Sequence, residues 1–272
     1  MPVSQVVAGM RYRTYGHHRR QTFLLVHGWC CDHTFMEPLA WHLARSGAMA
    51  YAVDLPGHGQ SPPSADGYGV ETLAGRLRAF VTELDLSRVV VVGHSLGGVW
   101  SLAAAAGDRE RFVQLGMLDS AVAGPPGSAD AVAQVAESLR GDTSGAVRES
   151  IVRSYFLPRS DPELVEWVVR RTSRPDTVVA AEPIAGLAAF LRDDGDAEAL
   201  RTWDRPLLHV GSNAPFAVYA RLAELAPEAD IGQTAGSGHF VQLEVPDQVN
   251  AMIDRTLRFP RRAGQPGWQS QP

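Results

Sequence analysis

Gly93-His94-Ser95-Leu96-Gly97 stands between a run of four valines at 89–92 and a small-residue helical segment at 96–106. A chain turning abruptly from strand to helix forces the middle residue into a rare backbone conformation. Flanking glycines, here Gly93 and Gly97, remove the Cβ clashes that would forbid it. Such a turn lifts Ser95 Oγ above the sheet, and the helix N-terminus beneath it favours developing negative charge. In a chain with 26 glycines the bare pattern arises by chance, and its strand–turn–helix setting is what makes it informative. The bland reading is a surface turn with an incidental serine.

A serine hydroxyl needs a base to become a nucleophile. His239, in Gly236-Ser237-Gly238-His239-Phe240, sits in a Gly/Ser loop ahead of a helix and has no packing role to explain it. His17 and His18 fall in a polar turn, His33 and His42 on an early helix, and His209 inside a strand, where packing suffices. The imidazole in turn needs a carboxylate to orient it and to stabilise its positive charge. Chain order around such a serine runs serine, acid, histidine. The turn after the strand at 206–210 reads Gly211-Ser212-Asn213-Ala214-Pro215-Phe216 and offers no carboxylate before Glu224. One strand earlier, Leu115-Gly116-Met117-Leu118-Asp119 delivers one, so Asp119 is the expected acid. The competing reading makes Asp119 a turn cap and gives its role to Asp193 or Asp194. The oxyanion of a tetrahedral intermediate needs two amide donors; Leu96, after the serine, and Trp29, in the loop after residues 22–26, are placed to supply them. His27 reads as a structural member of that loop.

The elements that must hold these residues alternate in type. Strands are expected at 22–26, 48–55, 88–92, 112–118, 206–210 and 230–234, with one or two edge strands within 3–15. Helices are expected at 35–46, 70–84, 96–106 and 246–258. This rhythm predicts an α/β fold, with a mostly parallel, doubly wound sheet covered on both faces. Residues 124–202 break it with four helical stripes and no good strand, and read as a helical cap inserted into a core formed by 1–123 and 203–259. The Pro-, Gly- and Gln-rich segment 260–272 is expected to be disordered.

Composition narrows the function. Net charge is −5, which argues against a nucleic-acid partner. All 25 basic residues are arginine; without lysine, Schiff-base chemistry, pyridoxal enzymes and Walker-type phosphate loops are excluded. Cys30 and Cys31 are adjacent, read as packing residues, and build no disulfide framework, which points to the cytoplasm. No secretory layout opens the sequence and no apolar run is long enough to span a bilayer. No metal-ligand spacing is present. The expectation is a cofactor-free, metal-free protein with a small-molecule substrate, monomeric or homodimeric.

His27-Gly28, Asp54-Leu55-Pro56-Gly57-His58-Gly59-Gln60-Ser61, Gly93-His94-Ser95-Leu96-Gly97-Gly98 and Gly238-His239-Phe240 together resemble the α/β-hydrolase superfamily over nearly the whole chain outside the cap. The acid at Asp119 resembles the minority of members that place it one strand early. The resemblance implies a Ser95–His239–Asp119 triad cleaving an ester, lactone or related acyl bond of a modest-sized, largely hydrophobic molecule. Gly28-Trp29-Cys30-Cys31-Asp32-His33 is similar to a segment of the cofactor-independent 2,4-dioxygenases of 3-hydroxy-4-oxoquinolines. That second resemblance implies ring cleavage by the His–Asp pair with the serine subordinate. A non-catalytic binding protein on the same scaffold is the third reading, because fold alone does not fix function.

Overall fold

The computed structural model describes residues 5–17 and 21–258. Its eight strands are β1 (Gln5–Val7), β2 (Met10–Tyr15), β3 (Thr22–Val26), β4 (Met49–Asp54), β5 (Val89–His94), β6 (Phe112–Leu118), β7 (Leu207–Gly211) and β8 (Asp230–Gln233). They form one sheet in the order β1-β2-β4-β3-β5-β6-β7-β8. The β1–β2 and β2–β4 pairs are antiparallel and all the others parallel. The apolar runs of β3 and β5 have no polar face to offer water, and they lie at the centre of the sheet.

Side chains alternate across the pleat, so each central strand feeds two cores. Phe23 and Leu25 with Val90 and Val92 pack against α1 (Glu37–Arg45) and the C-terminal helices. Leu24 with Val89 and Val91 packs against α2 (Val70–Glu83) and α3 (Leu96–Gly107), through Leu73, Leu77, Phe80 and Val99.

Between β6 and β7 lie α4 (Ser128–Arg140), α5 (Ala146–Ser154), α6 (Pro162–Thr172), α7 (Thr177–Arg192) and α8 (Gly195–Thr202). Four helices were expected here and five form. The fifth, α8, buries Asp196, Ala197, Ala199 and Leu200, a mixture that shows no apolar stripe. Asp196 accepts a hydrogen bond from the Ala123 amide at 2.8 Å, and α8 packs on α3, so it serves as the return crossover to β7. After β7 come α9 (Tyr219–Leu225), α10 (Val241–Glu244) and α11 (Pro246–Ile253). The closing helix expected over 246–258 ends at Ile253 and continues as a wider turn over Asp254–Arg258. The expected disordered segment 260–272, like residues 3 and 4 of the expected edge strands, lies outside the described residues.

Candidate active site

Ser95 follows β5 directly and has φ 55° and ψ −125°, a strained conformation for a residue with a side chain. The glycines around it permit the turn. A Cβ on Gly93 would lie 2.2 Å from the Gly97 carbonyl oxygen, and one on Gly97 would lie 2.2 Å from that of His27. Leu96 begins α3, so its amide is one of the donors a first helical turn leaves unpaired.

Asp119, just past β6 and fully buried, sits at φ 45° with both carboxylate oxygens engaged. Oδ1 accepts from the Ser212 amide at 3.0 Å, and Oδ2 lies 2.8 Å from His239 Nδ1. With Nδ1–H donating to Asp119, the His239 Nε2 remains as the acceptor. The turn after β7 lacks a carboxylate, yet it serves the site in two ways. It supplies the Ser212 amide, and Asn213 Oδ1 accepts from the amides of Gly236 (2.8 Å) and Ser237 (3.2 Å), which shapes the loop carrying His239.

His94 completes the support. Its Nε2–H donates to the His239 carbonyl at 3.0 Å, and the two rings meet at a tilt of 42° with centroids 4.6 Å apart. Burial, with the charge of His239 beside it, holds the His94 imidazolium well below its ordinary range, so the ring is neutral. His27 behaves as read from the sequence: its Nδ1–H donates to the Gly28 carbonyl and its Nε2 accepts from the Leu55 amide. Burial lowers its pKa as well.

Trp29 hangs its indole on the cap, Nε1–H donating to the Ala180 carbonyl at 2.7 Å. The next residue, Cys30, takes φ 54°. Burial pushes the Cys30 thiol up to about 12 and Cys31 well above its ordinary value, so both remain protonated, and Cys31 Sγ donates to the Trp29 carbonyl. Ser95, His239, His94, Trp29 and Cys31 share a cavity of about 10 Å3 with Phe240 and the cap residues Val152, Tyr155 and Thr172. That is room for about one water molecule. Asp193 and Asp194 are exposed on the surface, away from this cavity.

Two neighbours of His239 were not singled out from the sequence. Tyr155 falls in an apolar helical stripe, but its ring lies 4.6 Å from the His239 ring and its carbonyl accepts from the His239 amide at 2.8 Å. Phe216 meets the same imidazole edge-on at 5.0 Å. Neither contact has a local sequence signal, because both join segments far apart in the chain.

The model for the alpha/beta hydrolase family matches residues 23–252. The chain belongs to that family. The AB hydrolase superfamily protein YisY of Bacillus subtilis (strain 168) is 25% identical over 251 residues, covering 88% of this chain and 91% of that protein. Among solved structures, a thermophilic esterase from Thermogutta terrifontis superposes with a TM-score of 0.80 at 22% identity, covering 95% of this chain and 98% of the other. The enol-lactonase from Burkholderia xenovorans LB400 gives 0.78 at 18% identity, covering 92% and 98%. At such identities these structures establish the fold of this α/β hydrolase.

Proposed function

We propose that this α/β hydrolase cleaves an ester or lactone bond of a modest-sized, largely apolar small molecule, with Ser95 as nucleophile. His239 Nε2 takes the serine proton as Oγ attacks the carbonyl and returns it to the leaving oxygen. Asp119 fixes the tautomer of His239 and stabilises the imidazolium that forms. The amides of Trp29 and Leu96 hold the oxyanion. Water then repeats the sequence on the acyl-enzyme. The observation that carries this reading is the buried His239–Asp119 pair at 2.8 Å, whose histidine lines one cavity with a serine held at φ 55°. Trp29, Val152, Tyr155 and Phe240 around that cavity favour an apolar acyl group, and the esterase and lactonase neighbours make those two bond types the first to try. The setting is read as cytoplasmic and the active form as a monomer or homodimer.

A fluorophosphonate tests the nucleophile, because it reacts only where a serine has its base and oxyanion donors. The wild type should gain one adduct in intact mass and Ser95→Ala none. A folded wild type that stays unlabelled sinks the proposal. Aryl esters, lactones and 3-hydroxy-4-oxoquinolines compared on the two proteins then separate acyl transfer from chemistry that needs only His239 and Asp119.

A further inference from the structure

A second cavity, of about 280 Å3, lies between the cap and the loop that follows Trp29, and Cys31 is the one residue its lining shares with the Ser95 cavity. Three guanidinium groups line it, those of Arg13, Arg171 and Arg174, against one carboxylate, Asp32. Asp32 is already committed. Its Oδ1 accepts from Thr34, and its Oδ2 receives Arg171 Nη1 at 2.8 Å. Among the described residues, Arg13 has only a long ion pair with Glu37, at 3.9 Å. The guanidinium of Arg174 makes no ion pair or side-chain hydrogen bond with any described residue. Arg174 is therefore the cationic residue of the wall for which no described carboxylate is a partner.

His33, buried in the same lining, is a second and independent observation. Its Nδ1 is spent on Asp54 Oδ1 at 2.8 Å, while its Nε2 is buried without a hydrogen-bond partner among the described residues. A buried ring nitrogen left unpaired is costly and asks for an explanation.

We propose that this cavity binds a small oxyanion, a phosphate or carboxylate group, through Arg174, Arg13 and the outer edge of Arg171. His33 Nε2 accepts from a protonated oxygen of the ligand, such as a hydrogen phosphate carries. Guanidinium groups are suited to this because their planar N–H pairs match the two oxygens of such a group. The volume is below that of a drug-sized pocket, which fits a single anionic group. Arg171 belongs to the cap and Asp32 to the core, so a bound anion draws the two together. The anion is either a free ion or the far end of a substrate reaching Ser95. The site itself does not depend on the catalytic reading.

Titration calorimetry of the full chain, with inorganic phosphate and with malonate at ionic strength held constant by chloride, tests the site. Saturable one-to-one binding of at least one of them is expected, weakened about tenfold or more in Arg174→Gln, the loss of one charge-assisted pair. Arg192→Gln, which removes a surface arginine 3.3 Å from Asp130, should bind like the wild type. Absence of saturable binding by either anion overturns the proposal. So does binding that survives both Arg174→Gln and Arg13→Gln unchanged. Hydrolysis of methyl hydrogen adipate and methyl hexanoate, followed by pH-stat, identifies the source. A rise in KM for the adipate alone in Arg174→Gln, with kcat retained, supports the site as the seat of the substrate's far end. Equal KM changes beside intact phosphate binding to the wild type support it as a site for a free ion.

Discussion

Among the described residues, two buried histidine–aspartate pairs are nearly the same at the point of contact. His239 Nδ1 meets Asp119 and His33 Nδ1 meets Asp54, each at 2.8 Å, with the imidazoles 5% and 7% exposed. Both aspartates stand at the carboxyl end of a central strand, Asp119 after β6 and Asp54 closing β4. Their surroundings differ. Asp54 also accepts from the amides of His33 and Gln60, and a Cβ on Gly59 would lie 2.3 Å from its carboxyl carbon. Burial alone would raise the Asp54 carboxyl; the hydrogen bonds and charge of His33 outweigh it and hold the group below the usual carboxylate range. Asp54 thus staples two loops, whereas Asp119 presents an imidazole to a cavity that also holds a strained serine. Under the proposed function, what separates the two histidine–carboxylate contacts is what the second ring nitrogen faces.

Substitutions can break this contrast in order of effect. Ser95→Ala should cost about 10⁶ in kcat, as removal of a triad serine does elsewhere, while the thermal midpoint stays close to wild type. Asp119→Asn keeps an oxygen for the Ser212 amide but turns an N–H donor toward His239 Nδ1, which forces the wrong tautomer. The expected loss is on the order of 10⁴ in kcat, measured on whichever ester the screen yields. Asp54→Asn should do the reverse. An amide in place of the carboxylate leaves a buried donor of His33 or Gln60 without an acceptor, which costs about 1–3 kcal/mol of stability, read from urea unfolding, with kcat of the surviving fold changed less than tenfold. If Asp54→Asn abolishes turnover without destabilising the chain, the division of roles drawn here is wrong. Asp193→Asn and Asp194→Asn should leave the rate untouched and alter stability by less than about 0.5 kcal/mol.

Acid provides a further probe, because several histidines are buried in their neutral form. Burial lowers the pKa of His27, His94 and His209 and brings His58 down to about 3. In the unfolded chain these rings accept protons at about 6.5, so their contribution to stability is complete above that pH and is lost as pH falls below it. Each group that titrates only in the unfolded state tilts the stability curve by about 1.4 kcal/mol per pH unit. Urea midpoints should therefore stay nearly level above about pH 7 and drop steadily from about pH 6.5 to about 4.5. A flat profile across that window would show that these rings charge in the folded protein too. The depressed Asp54 adds its own loss only below about pH 4, as the unfolded carboxyl begins to take up protons.

The core of the fold was legible because its central strands are short, continuous apolar runs closed by turn residues. The observed bounds of β3 and β6 coincide with the expected 22–26 and 112–118. Ser95, Asp119 and His239 could be picked out because each lies in a loop directly after or between sheet elements, where a polar side chain has no packing excuse. Contacts across the cap were not legible. Tyr155 is one apolar residue in a helical stripe until α5 is laid against residue 239. Asn213 looks like an ordinary turn residue until its side chain is seen to take the amides of residues 236 and 237. Helix α8 escaped notice because alanine and a buried aspartate carry no amphipathic signature. Long-range pairing decides all three, and local propensity is silent on it.

The hydrogen bond from the His239 amide to the Tyr155 carbonyl has a kinetic meaning. The proposed base is held on one side by Asp119 at the end of β6 and on the other by Tyr155 of the cap, so its position is tied to that of the cap. Under the proposed chemistry a substrate larger than one water needs the lining to give way, and if the cap side with Val152, Tyr155 and Thr172 yields, a shift of α5 slackens the tether on the histidine. Opening and proton transfer are then exclusive states of one device. Under the proposed chemistry, the interval in which Ser95 can be activated is the interval in which bulk water is shut out, and the frequency of cap opening sets the ceiling on turnover.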